Sequence, residues 1–360
     1  KDLAAVIQDI LDSIDPESNK WTRKKPAMKG LRAVTAKNQN SATKKSRRPL
    51  SNSFLLKCKR ERRIRNSAMI ATYTAASSLI RSRKIKNHGS IIKAIRSNRK
   101  SSLVLAMKSC KEGENDGLVT CGPTQAVIVG AHIIIKRIPG MSRVALAPIM
   151  PTVDGRGRIL LDVGANVELR PEHLEELAIY ATVAAREVFG VESPRVGLLN
   201  IGTEPGKGRE VDEQTYDILM ANPNINFVGN VETKDILTSP CEVLITDGFT
   251  GNMILKTLEG TAKGSGIILK QEIMKSFWSK LGYVLFMRKA FKNYKKFLSG
   301  DDVGGAMICG INVPVVKAHG SSDAEGFYHG IRRIRGLIES NLISKVISLL
   351  PKKEETSEEN

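Results

Sequence analysis

Aromatic side chains are scarce in this chain, 17 residues or 5% of the composition. Only Trp21, Phe54 and Tyr73 fall between Lys20 and Lys86, its most basic region. Single-stranded nucleic acid is held on stacking platforms interleaved with cations, so that partner is disfavoured. Cysteine is also thinly spread. Cys58, Cys110, Cys121, Cys241 and Cys309 form no C-x-x-C pair, which excludes a zinc ribbon or a disulfide framework. They read as reduced thiols of a cytosolic protein. No apolar run approaches a membrane span, and no signal-peptide pattern opens the sequence. The G-x-x-x-x-G-K-[ST], G-x-G-x-x-G and G-x-S-x-G patterns are all missing, and no Cys has an adjacent His. No cofactor, no metal and no covalent nucleophile is therefore expected.

What is present divides in two. The net charge is +19, but 25 Lys and Arg face one acid, Glu61, between Lys20 and Lys100, so that stretch carries +24 and the remainder −5. Residues 1–86 begin with a short amphipathic pattern and continue as a basic segment without sustained helical or strand periodicity, too self-repelling to fold alone. Residues 87–350 are different. Short apolar strands (Leu118–Thr120, Val144–Ile149, Ile159–Val163, Arg195–Ile201, Glu242–Thr246) alternate with helical patterns such as Pro171–Phe189 and Gly251–Leu269. That alternation predicts an α/β fold, a mostly parallel sheet with helices on both faces, whose ligands bind beyond the strands' carboxyl ends. Residues 351–360 form an acidic tail.

Six loops at predicted strand ends combine glycine with Asn, Asp, Ser or Thr: Gly122–Gln125, Asp162–Asn166, Asn200–Glu204 with Lys207, Gly229–Glu232, Asp247–Asn252 and Lys317–Ala324. Any strand-to-helix turn uses such residues. Six on one sheet edge predict an anion site, because glycine turns and helix N-termini present backbone N–H groups to an oxyanion. The last loop gathers a cation, an imidazole, two hydroxyls and a carboxylate in Lys317, His319, Ser321, Ser322 and Asp323. A phosphate that itself attacks an electrophile needs such binding and positioning and no protein nucleophile.

One region departs from the sheet pattern. Seven of the 17 aromatics lie between Phe277 and Phe297, interleaved with Lys280, Arg288, Lys289 and Lys292, and apolar residues from Ile273 to Leu298 recur every three or four positions. Such a stripe is expected to be core or dimer packing. Trp278, Leu285 and Phe286, with the cations, suit a membrane surface or an acidic partner protein.

From about residue 86 to 350, the stretches Leu160–Asn166, Arg195–Gly202, Asn226–Glu232, Asp247–Asn252 and His319–Ala324 resemble, in order and spacing, those of the bacterial PlsX family of phosphate acyltransferases. The resemblance implies an α/β fold of the phosphotransacetylase and isocitrate-dehydrogenase type. It implies transfer of a long-chain acyl group from acyl carrier protein to inorganic phosphate, giving acyl-phosphate for a membrane glycerol-3-phosphate acyltransferase. It also implies a cytoplasmic homodimer associated peripherally with the membrane. On this reading Lys317, Ser321 and Ser322 hold phosphate or the oxyanion, and His319 or Asp323 orients phosphate or takes its proton. Asn200, Asn230, Asp247 and Asn252 line the cleft, with Thr124, Asp162, Asn166 and Lys207 completing the substrate-binding set. Trp278, Leu285, Phe286, Arg288, Lys289 and Lys292 would meet carrier protein or membrane.

Two departures stand against the resemblance. The Asp-Ala-Met-Gly-Gly-Asp stretch with which the family opens has no counterpart in residues 1–86, where the basic segment reads as atypical or out of frame. Gln125 stands where the family has glycine. The alternatives are a short-chain phosphotransacetylase using coenzyme A, which the aromatic, basic 270–298 tip disfavours, and an inactive scaffold carrying a basic nucleic-acid-binding arm.

Overall fold

The computed structural model describes residues 69–72, 88–299, 305–320, 322 and 324–351. Among these residues nine strands form one sheet: β1 (Met69–Thr72), β2 (Gly117–Thr120), β3 (Ala145–Met150), β4 (Arg158–Leu161), β5 (Arg195–Asn200), β6 (Asn226–Glu232), β7 (Val243–Ile245), β8 (Ala306–Cys309) and β9 (Val315–Lys317). Successive side chains leave a strand on opposite faces, and both faces are apolar here. Ile159, Leu161, Val243, Ile245 and Val316 enter one core, while Leu160, Leu244 and Val315 enter the other. A sheet buried on both sides must be covered twice.

The helices supply those covers: α1 (His88–Ser97), α2 (Ser102–Lys111), α3 (Thr124–Gly130) extended by a π-turn at Ala131–Ile135, α4 (Pro171–Phe189), α5 (Glu210–Ala221), α6 (Gly248–Lys275), α7 (Phe277–Gly282) followed by a π-turn at Tyr283–Met287, α8 (Arg288–Ser299), α9 (Ala324–Glu339) and α10 (Leu342–Leu349). Helices α4, α9 and α10 pack under the first face, and α2, α3 and the base of α6 under the second. The most buried of them, α4, starts where its sequence says it should, with Pro171 in the first turn and Glu172 beside the positive end of the helix dipole. The α/β class with helices on both faces is thus realised.

Strand direction changes one expectation. The order is β1-β2-β9-β8-β3-β4-β7-β5-β6. Strands β1, β2 and β9 run parallel to one another, as do β4, β7, β5 and β6, but β9–β8, β8–β3 and β3–β4 are antiparallel. Three reversals leave the two parallel blocks pointing in opposite directions. The six glycine-bearing loops therefore do not share an edge. Gly122–Gln125 and Lys317–Ser322 lie at one end of the sheet, and the other four at the opposite end.

Local differences have local causes. Strand β6 continues through Gly229–Asn230, expected to be a turn, because Gly229 takes φ +98° and the register against β5 shifts there. Near the C-terminal end α9 and α10 are separated where Asn341 adopts φ 54°. The strand Met69–Thr72 lies inside the segment read as patternless, and its parallel pairing with β2 forms the sheet's outer hem. The rest of residues 1–86, the acidic tail from 352 onward, Ser321, Asp323 and the Lys292 side chain lie outside the described residues.

Candidate active site

The larger loop group is assembled from hydrogen bonds the chain makes to itself. Asp162, fully buried at the end of β4, accepts from the N–H groups of Leu146 (2.9 Å), Ala165 (3.1 Å) and Asn166 (2.8 Å), and from Asn166 Nδ2 (2.9 Å). Burial pushes its carboxyl pKa up while these bonds oppose the shift. Asn166 Nδ2 also donates to Val144 O at 2.8 Å, fixing the loop to the start of β3. Asn200 Nδ2 donates to Lys207 O at 2.7 Å, and its Oδ1 accepts from Ile201 N–H. The bulge beside Gly229 buries Asn230, whose Nδ2 donates to Glu204 O at 2.8 Å. Asp162, Asn166, Asn200 and Asn230 thus direct their described bonds at shaping the loops. Lys207 and Asn252 are exposed on them.

Helix α6 closes this group. Asp247 caps it, accepting from Thr250 N–H at 2.7 Å and Thr250 Oγ1 at 3.1 Å. Its first turn lies against the Asp162–Asn166 loop so closely that a Cβ on Gly248 would stand 2.2 Å from Asn166 O, and one on Gly251 2.0 Å from Asp162 O. Glycine is required at both positions by contact alone. Sequence reading passed over Arg209. Its guanidinium binds both carboxylate oxygens of Asp212 at 2.9 Å and Asp247 Oδ2 at 2.6 Å, tying the glycine-rich 202–208 loop, the start of α5 and the start of α6 together. These bonds, Asp212's first, raise its pKa further. The only cue was an Arg followed three residues later by an Asp at a helix start.

The smaller group sits at the opposite end. Ala318 N–H donates to Thr120 O at 2.9 Å and Gly122 N–H to Thr120 Oγ1 at 3.1 Å, which brings the ends of β2 and β9 together. Lys317 is half-buried there beside Cys121. Burial lowers its pKa below the ordinary lysine value, Cys121 opposes the change, and the charge of Lys256 adds to it. The Cys121 thiol is pushed up to about 11 by burial, Lys317 working against the rise, so it stays protonated at neutral pH. His319 is exposed, and its carbonyl accepts from Ser322 N–H at 3.0 Å. Thr124 opens α3 alongside.

The two ends are not independent. Helix α6 begins in the larger group at Gly248, and Lys256, just over two turns later, acts electrostatically on Lys317 in the smaller one. An edge along α6 therefore joins carboxylate- and amide-rich loops to a half-buried cation. Phe249 and Met253 are exposed on that helix, four residues apart and hence on one face. Beyond Lys275 the chain forms an arm whose apolar residues find no core: Trp278 is 76% exposed, Leu285 61% and Phe286 82%, with Arg288 and Lys289 also exposed. Among the described residues no helix is long and apolar enough to cross a membrane, and no group of three or more His, Cys, Asp or Glu is placed to hold a metal.

The phosphate acyltransferase of Acholeplasma laidlawii is 49% identical over 71% of this chain and 77% of its own length. That of Bacillus cereus is 42% identical over 75% of this chain and 81% of its own. Among solved structures, a phosphotransacetylase from Streptococcus pyogenes superimposes with a TM-score of 0.45 at 18% identity, covering 72% of this chain and 77% of its own. A model described as fatty acid synthesis protein matches residues 67–345, beginning two residues before β1. The chain belongs to that fatty acid synthesis protein family, the PlsX family of transferases.

Proposed function

We propose that this protein transfers a long-chain acyl group from acyl carrier protein to inorganic phosphate. The observation that carries the reading is Lys317, a half-buried cation at the end of β9 beside the His319–Ser322 turn and within electrostatic reach of Lys256. One desolvated cation, with the exposed and Glu259-paired Lys256 nearby and exposed apolar side chains on the helix of Lys256, suits an anionic nucleophile meeting an acyl chain. A phosphate oxygen attacks the thioester carbonyl carbon. The carbon–sulfur bond breaks, the thiolate leaves with the bonding pair, and the proton released by phosphate returns to sulfur. Lys317, with Ser321 and Ser322, holds phosphate and the developing oxyanion, and His319 or Asp323 carries the proton. Asp162, Asn166, Asn200 and Asn230 keep the opposite loops in shape. Thr124, Lys207, Asp247 and Asn252 border the substrates.

Donor specificity tests the assignment. Incubated with phosphate, the purified chain should form acyl-phosphate from palmitoyl carrier protein and not from acetyl-coenzyme A. The reverse preference would replace this reading with a short-chain phosphotransacetylase. His319→Ala and Ser321→Ala should each slow the reaction ~10²-fold with the fold intact; wild-type rates in both would remove the loop from catalysis.

The exposed arm supports the remaining partners: an acidic carrier protein, a second copy of the chain and a membrane surface, where a membrane glycerol-3-phosphate acyltransferase would take the product. Leu285→Glu with Phe286→Glu should abolish co-flotation with anionic lipid vesicles, since each places a charge where an apolar side chain would enter the interface. Undiminished flotation would end the membrane part of the proposal.

A further inference from the structure

A cation-rich cavity lies outside the loops described so far. It has a volume of about 410 Å³ and sits where α3 hands over to β3. Its polar lining is His132, Lys136 and Arg137, and Ile138 and Met141 are its buried apolar members. Arg143 lies near enough to act on His132 together with Arg137. Among the described residues no Asp or Glu lines the cavity. The sheet end is the one that carries Asp162–Asn166, and the two places are joined through Val144, which follows Arg143 and accepts from Asn166.

The backbone here is unusual in two ways. Helix α3 ends in a π-turn, Ala131–Ile135, a form that recurs where helices are bent to serve a site. The next residue, Lys136, has φ 77° and ψ 167°, a region that is essentially glycine's alone. Its conformation is imposed from both sides. Its N–H donates to Ala131 O at 3.0 Å, and its carbonyl accepts from Asn312 N–H at 3.1 Å. Arg137 then bridges to Ile311, and Ile138 N–H donates to Gly310 O. A residue with a side chain is strained at this position and glycine would not be. The chain nevertheless carries a lysine, exposed at the mouth of the cavity.

Arg137 is oriented as well, its Nη1 donating to Ser142 O at 2.6 Å. Ser142 is itself held by Glu176, whose carboxylate accepts from Ser142 N–H and Oγ. The buried carboxylate is turned to the loop, while the exposed His132, Lys136 and Arg137 line the opening. Lys136 and Arg137 on one open cavity, with Arg143 acting on His132 beside them, suit a dianion.

We propose that the cavity of His132, Lys136 and Arg137 binds the phosphate group of a phosphate monoester or free phosphate, separately from the acyl-transfer site. The strained lysine places its ammonium at the mouth, Arg137 supplies a fixed guanidinium, and His132 donates from the helix side. The apolar members accommodate the ester's organic portion.

The imidazole signals of His132 are a local reporter, assigned with His132→Gln among the chain's five histidines. Methyl phosphate and inorganic phosphate serve as probes, titrated separately into the full chain at low ionic strength. A saturable His132 shift with either supports the site. A response to methyl phosphate alone identifies an ester as occupant, to inorganic phosphate alone the free ion, and to both the phosphate group itself. Lys136→Gly should weaken the response at least tenfold and raise the melting temperature of the unliganded protein, because glycine adopts this conformation freely. Absence of a saturable shift with both probes, an unchanged affinity in Lys136→Gly, or a melting temperature lowered by it would each overturn the proposal.

Discussion

Gly251→Ala should destabilise the protein by about 3 kcal/mol or more, while the same exchange further along the same helix stabilises it. Alanine in place of glycine inside a helix is favourable by about 1 kcal/mol on propensity alone. At Gly260, Gly264 and Gly266 a new methyl group meets nothing within 4 Å, so the propensity term stands unopposed. At Gly251 it would stand 2.0 Å from Asp162 O and 3.0 Å from Thr246 Cγ2. The first is a backbone atom and cannot rotate away. Asp162 is fixed besides by its bonds to Leu146, Ala165 and Asn166, so the helix must move out or the loop must break. Either outcome costs more than propensity returns. Denaturant melts of Gly251→Ala and Gly264→Ala measure the contrast, and similar stabilities for the two would show that α6 does not rest on this loop.

Lys317→Ala should reduce acyl-phosphate formation ~10²-fold, the scale on which single donors to a developing oxyanion act. The pH dependence distinguishes a charge from mere packing. Burial lowers the Lys317 pKa below the ordinary 10.5, so as pH rises the ammonium is lost earlier than from a solvated lysine. The rate therefore falls on the alkaline side below that value. Bound phosphate favours the charged form, so the limb appears at lower pH in kcat/KM, which reports free enzyme, than in kcat. The guanidinium of Lys317→Arg does not titrate in this range and should remove the limb while keeping part of the rate. A limb unchanged in Lys317→Arg would assign it to another group. The shift has a stability consequence of defined sign. The folded protein releases this proton before the unfolded chain does, so the fold gains as pH climbs from the folded pKa toward 10.5.

The sequence carried the α/β class because its strands are apolar on both sides, and such runs need covers on both faces. It carried α4 through Pro171 and Glu172, which act within one turn of the helix start. It did not carry the direction of the strands. The reversal runs through Ala306–Cys309, four residues with no polar alternation to announce a strand, and through contacts with β3 and β9 more than a hundred and only a few residues away respectively. Two ends were therefore read as one. The loops themselves were visible, since glycine with Asn or Asp marks turns locally. What each polar side chain does there was not, because the bond from Asn230 to Glu204 or from Arg209 to Asp247 joins residues far apart in sequence. Lys136 was hidden for another reason. Nothing in its neighbours announces that a lysine sits on backbone suited to glycine.

The four residues Met69–Thr72 bear on how the molecule keeps to itself. Strand β2 is buried on both faces, and without a neighbour on its free side it would offer a row of unpaired N–H and C=O groups to any passing strand. Such an edge is a template for sheet growth between molecules. Strand β1 occupies it over the full length of β2, pairing Met69 with Gly117 through Thr72 with Thr120. The chain's most basic region thereby supplies the outermost of the described strands on this side. At four residues β1 is a short edge strand, one of the ways in which sheets blunt pairing between molecules.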